Sequence, residues 1–85
     1  MSPALRRGDA EGAHREADEV RAIAKHHGSA LLGAECAAVS ALALKRLGRV
    51  SEAEQRRDEA IREFQALEAI KWIERFEEEW SDQPL

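Results

Sequence analysis

Along the first third of the chain, Ala13, Ala17, Val20, Ala24 and His27 recur at intervals of three and four residues, with Ile23 beside them. That spacing puts one apolar stripe on a helix over about 9–27, entered after Asp9 and stopped by Gly28. The next segment, 30–47, has a different pattern. Leu31, Leu32, Cys36, Val39, Leu42, Leu44 and Leu47, with alanines between them, spread around most of a helix, so this element is expected to be covered on more than one side. Ser29 is placed to cap its start, and Gly48 to supply its left-handed stop. A third helix over 51–67 is predicted from Ser51, the cap, and Glu54, which together complete an S-x-x-E capping box. It presents Ala53, Ala60, Ile61, Phe64 and Leu67, and carries Glu52, Arg56, Glu59 and Glu63 on its back. A last helix over 70–80 holds Trp72, Ile73, Phe76 and Trp80. Glu77, Glu78 and Glu79 lie at the negative end of its dipole, so fraying is expected there, and 81–85 reads as a disordered tail.

The corner between the second and third helices has a counterpart. "RRGDAEGAHREADE", Arg6 to Glu19, aligns with "RLGRVSEAEQRRDE", Arg46 to Glu59, at an offset of forty residues, pairing Gly8 with Gly48 and Ala13 with Ala53. A glycine suits the place where one helix stops, and a small residue five positions later lets the next helix approach its neighbour. Two helices per forty residues make a repeat unit, and such units stack because none buries its stripe alone. The expectation is an all-α single domain over 1–80, built of about four helices in antiparallel hairpins.

On these residues the sequence resembles the tetratricopeptide-repeat family, in particular the longer-period repeats of bacterial signalling ATPases and transcriptional regulators. Anchored on Leu47 and Gly48, the family's small first-helix residue falls at Ala41, its large one at Leu44, and its second-helix alanines at Ala53 and Ala60. "EAIREFQALEAIKWIERF" is similar to the end of such arrays, where a tryptophan-containing helix follows the last repeat. The resemblance covers about Leu5 to Phe76. It departs at Ala37, where the family has tryptophan, at Arg57, where it has an aromatic, at Gln65, where it has proline, and at Glu68, where a glycine is expected. The alignment makes Met1 to Arg7 the tail of an incomplete first unit, and leaves open whether the chain is complete or ends a longer array.

Composition narrows the function. The chain has 85 residues, 44% hydrophobic and 35% charged, with a formal charge of -4 and a pI near 5.4. Its basic residues are interleaved with acids and lack stacking aromatics nearby, which argues against nucleic acid as a partner. No signal core or membrane-length apolar run is present. The single Cys36 cannot form an internal disulfide and reads as a small core residue, so a cytoplasmic setting is expected. His14, His26, His27, Cys36 and Glu35 are the only conceivable soft-metal set, but they lack ligand spacing. No glycine-rich phosphate loop or nucleophile elbow occurs. Neither a metal, a cofactor nor catalysis is expected.

Trp72, Phe76 and Trp80 stand at i, i+4 and i+8 on one face of the last helix. They can cover the end of the helical stack, anchor a partner, with Trp80 as the exposed ring, or meet their counterparts in a second copy. The favoured expectation is a protein-interaction or scaffolding module that binds a helix or peptide of another protein. Arg49, Arg56 and Arg57 would steer acidic groups, and Trp72, Phe76 and Trp80 would serve as anchors. The alternatives are a regulatory piece of a bacterial transcriptional or signalling protein, and a self-associating homodimeric bundle.

Overall fold

In the computed structural model, which describes residues 3–82, the chain turns back on itself at four corners built alike. The N–H groups of Gly8, Gly28, Gly48 and Glu68 donate to the carbonyls of Leu5, Lys25, Lys45 and Gln65, and those of Asp9, Ser29, Arg49 and Ala69 donate to Ala4, Ala24, Leu44 and Phe64. This paired closure satisfies carbonyls left open at a helix end, and it needs a left-handed residue at the corner. Gly8, Gly28 and Gly48 adopt it with φ of 79, 73 and 78°, and Glu68 takes the same role with φ of 55°. A side chain there is strained where glycine is not. The corners fall at equal twenty-residue intervals, with glutamate in place of glycine at the fourth.

Between the corners lie α1 (Pro3–Arg6), α2 (Ala10–His26), α3 (Ala30–Arg46), α4 (Val50–Ala66) and α5 (Ile70–Asp82); the described residues form no strand. Three-residue connections followed by packing along the helix length make successive helices antiparallel. α2 and α4 each lie along α3, while α5 rests more lightly on α4 and α3. The even spread of apolar positions on α3 is explained by this central place: eleven of its residues are buried, most of them alanine, glycine or serine. Small side chains let neighbouring helices approach closely. The bulk of the core comes from Leu5, Leu44, Phe64 and Phe76, all nearly inaccessible. Ala41, Leu44, Ala53 and Ala60, singled out in the sequence as packing positions, are buried at 0 to 1% exposure.

Four local expectations are corrected. α4 begins at Val50 rather than Ser51, with Arg49 at the cap position and no side-chain capping bond. The corner hydrogen bonds of Gly48 and Arg49 commit the chain to helix one residue earlier, which moves Ser51 into the first turn, and Arg49 instead pairs with Glu52 at 2.7 Å. Ser29 occupies its cap position without a side-chain bond, whereas Asp9 caps α2 by accepting from the Gly12 N–H at 2.9 Å. The buried stripe of α2 is Ala10, Ala13, Ala17, Arg21 and Ala24, so Arg21 replaces Val20 on it and His27 is exposed. The first residues of the predicted tail, Ser81 and Asp82, continue α5, and 83–85 lie outside the described residues. Of the residues read as the end of an incomplete unit, Pro3–Arg6 form the single turn α1, tied down by Arg46 Nη1 donating to the Leu5 carbonyl at 2.7 Å.

Candidate functional site

Viewed down its axis, α3 has two contrasting faces. The first, formed by Gly33, Ala37, Ser40 and Leu44, is roofed by α2 and α4, and a polar ladder runs through that roof. Ser40, fully buried, shares a 2.8 Å hydrogen bond with His14 Nδ1. His14 Nε2 lies 3.7 Å from Asp18, Asp18 accepts from Arg56 at 3.3 Å, and Arg56 reaches Glu59 at 3.0 Å. Glu59 lies 3.4 Å from Arg21, which grips both oxygens of Glu63 at 2.9 and 2.7 Å and donates to the Gly33 carbonyl at 2.6 Å. Arg21 is only 7% exposed; a guanidinium is tolerated there because its donors find fixed acceptors on two other helices. The hydrogen bond to Glu63 raises the arginine's pKa and holds the Glu63 carboxyl below the ordinary carboxylate range.

The opposite face of α3 is open. Leu32, Glu35, Cys36 and Val39 border a depression of about 280 Å³ against Ala13, Glu16, Ala17 and Val20 of α2. Glu35, Ala38, Val39 and Leu42 border a second, of about 180 Å³, against Phe64 of α4 and Trp72, Arg75, Phe76 and Glu79 of α5. Glu35 and Val39 belong to both, so the two depressions form one groove with α3 as its floor and α2 and α5 as its walls. From Leu32 to Leu42 the floor is about 15 Å long at the helical rise. Burial is the main reason that the Cys36 thiol is pushed above its ordinary pKa, with the Glu35 charge adding to it. A protonated thiol is a poor nucleophile, and Cys36 is accordingly a small floor residue of the groove.

The aromatic stripe is divided between groove and core. Phe76 is buried at the base of the α5 wall. Trp72, 37% exposed, stacks on Phe64 with ring centroids 6.1 Å apart and 14° between planes, leaving its outer side to the groove. Trp80 is half-buried: the Lys45 ammonium sits 4.5 Å from its ring centre and donates to its backbone carbonyl at 2.6 Å, and the Arg57 guanidinium lies 5.4 Å away. Trp72, rather than Trp80, is therefore the exposed ring. Arg49, Arg56 and Arg57 do not gather around the groove. Arg49 pairs with Glu52 at the corner, Arg56 belongs to the ladder, and Arg57 meets Glu77 at 3.1 Å.

Sequence reasoning missed the ladder. Its signals were a charged residue, Arg21, four positions after Ala17 on an apolar stripe, and a serine, Ser40, deep inside an apolar helix; each demands a partner when buried. Ser40, His14 and Asp18 share the residue types of a hydrolytic triad. Ser40 is 0% exposed and sits mid-helix, where no substrate reaches its hydroxyl, so the three serve packing. His26 and His27 are exposed and stack edge to face at 5.2 Å. Among the described residues no three His, Cys, Asp or Glu side chains are placed to hold a metal ion, and no helix is long and apolar enough to cross a membrane.

Fold and site together define an all-α protein of packed neighbouring helices with a groove along its central helix. No protein-family profile, characterised protein or solved structure matches the chain.

Proposed function

We propose that this chain is a protein-interaction module, in the manner of a tetratricopeptide-like repeat, that holds a helix or peptide of a partner along the open face of α3. The observation that carries the reading is the continuity of the groove through Glu35 and Val39, with the half-open Trp72 ring on one wall. A recognition groove needs apolar contacts at its centre and polar groups at its rim. Here Val20, Leu32, Val39 and Trp72 supply the first and Glu16 and Glu79 the second. Of the residues singled out in the sequence, Trp72 and Phe76 support this reading directly. Arg49, Arg56 and Arg57 support it through stability, because their guanidinium groups are already engaged.

Selection of a random 15-residue peptide library on the immobilised chain tests the reading. Enriched peptides should alter tryptophan emission on binding and should lose at least tenfold in affinity against the Val39→Gln variant. Failure to enrich any peptide sensitive to that substitution would rule the groove out as a binding site.

A further inference from the structure

The charge around the groove is one-sided. Three carboxylates, Glu16 on α2, Glu35 on α3 and Glu79 on α5, line it, against the single guanidinium of Arg75. Glu79 meets Arg75 at 3.6 Å, and that arginine is 67% exposed. Glu16 and Glu35 take part in none of the ion pairs among the described residues. Of the other acids, Asp18, Glu59 and Glu63 face Arg21 and Arg56 across the ladder, Glu52 faces Arg49, and Glu77 faces Arg57, while unpaired acids such as Glu19, Glu54 and Glu78 line neither depression. In the groove, two unpaired carboxylates therefore stand beside the exposed apolar surface of Leu32 and Trp72.

We infer, building on the groove reading above, that the occupant is a basic amphipathic segment of another protein: about three helical turns with an apolar stripe flanked by Lys or Arg. A floor of about 15 Å matches some ten helical residues, so anchors at i, i+3 or i+4 and i+7 can settle on either side of Val39. Basic side chains on one flank reach Glu16, and those on the other reach Glu79. Glu35, half-buried on the floor between them, faces a positive group in a less aqueous setting than the rim carboxylates. An acidic segment would bring its charges against three carboxylates, so the same groove rejects it.

The peptides that depend on Val39 decide the matter. Their net charge should be positive, their affinity should fall about tenfold between 50 and 300 mM salt, and the Glu16→Gln/Glu35→Gln/Glu79→Gln variant should weaken them about tenfold while its helical circular dichroism stays unchanged. Val39-dependent peptides that are neutral or acidic, or that ignore the triple substitution, would overturn the basic occupant and leave the groove reading standing. Absence of any Val39-dependent peptide would overturn both. Sedimentation equilibrium of the free chain adds a separate check. A dimer abolished by Val39→Gln would give the groove to a second copy and contradict the inference.

Discussion

The two faces of α3 use charge in opposite ways. On the α2–α4 side, Arg21 and Arg56 are locked to Asp18, Glu59 and Glu63, and the polar groups serve to join two helices that otherwise meet chiefly through α3. On the α2–α5 side, Glu16 and Glu35 stand unpaired around apolar residues that no helix covers. The first arrangement gives up recognition for cohesion, because a guanidinium already holding carboxylates and a carbonyl has little to offer a ligand. The second keeps both its apolar contacts and its charge available. The same residue types, arginine and glutamate, therefore mean cohesion on one side and, in the proposed function, recognition on the other, and only their partners distinguish the cases.

The sharpest way to break this contrast is to remove the buried arginine. Arg21→Ala removes the second donor to the Gly33 carbonyl and frees Glu59 and Glu63. Because about a third of each carboxylate is in water, the full cost of a broken buried pair does not apply. A loss of about 2 kcal/mol is expected, with Tm falling by roughly 10 °C. Denaturant titration would measure it, and a loss under about 0.5 kcal/mol would show that the ladder does not hold α2 to α4.

Lys45→Met tests the clamp on the groove wall. It removes the donor to the Trp80 carbonyl and the cation over its ring, at a cost of about 1 kcal/mol. Tryptophan emission should shift to the red as the end of α5 loosens. An unchanged spectrum would mean that the other contacts of α5, among them Phe76 in the core and Arg57 with Glu77, hold its end without Lys45.

Glu68→Gly tests the corner that sets the angle of that same wall. Replacing a side chain at φ of 55° relieves backbone strain but lengthens the list of unfolded conformations. A net gain of about 0.5 kcal/mol in thermal stability is expected, and destabilisation would show that the Glu68 side chain contributes more than the strain costs.

Acid distinguishes the two faces again. The Glu63 carboxyl is held below its ordinary range by its hydrogen bond from Arg21. Its contribution is present above about pH 4.3, the ordinary glutamate value, and is lost as pH falls through the lower folded value. Glu63→Gln should flatten the acid limb of stability against pH, measured by urea titration from pH 5 to 2. Glu35→Gln, on the unpaired side, should change stability at pH 7 by less than about 0.5 kcal/mol. A larger loss would place Glu35 in a structural role.

Much of this architecture was legible from spacing. Glycines at 28 and 48 ended their helices where the apolar stripes ran out, and the all-round apolar character of α3 forecast its central place. The aromatic stripe was correctly put on one face of the last helix. Its division was not legible, since a stripe tells which residues share a face but not which of them lies over a neighbour's lysine and which over a gap. Arg21 was hidden for a similar reason. In a chain where charged residues abound, one more on a helix reads as solvated until the helix is set against α4. The fourth corner was placed between 67 and 70 by the helix bounds, but its left-handed turn was not legible, because that conformation is signalled by glycine and here the surrounding helices impose it on glutamate. The groove itself is a tertiary object, made where α2 and α5 fail to meet across α3, and the sequence contains no local mark of such a gap.

The most direct measurement is a ¹H–¹⁵N chemical-shift titration of the labelled chain with a Val39-dependent basic peptide from the selection. The account predicts that the backbone resonances of Glu16, Val20, Leu32, Glu35 and Val39 and the indole resonance of Trp72 move together and saturate, while those of Arg21, Arg56 and Glu63 stay in place. Shifts centred on the ladder, or on the Leu47–Val50 corner, with the α3 floor unmoved would contradict it.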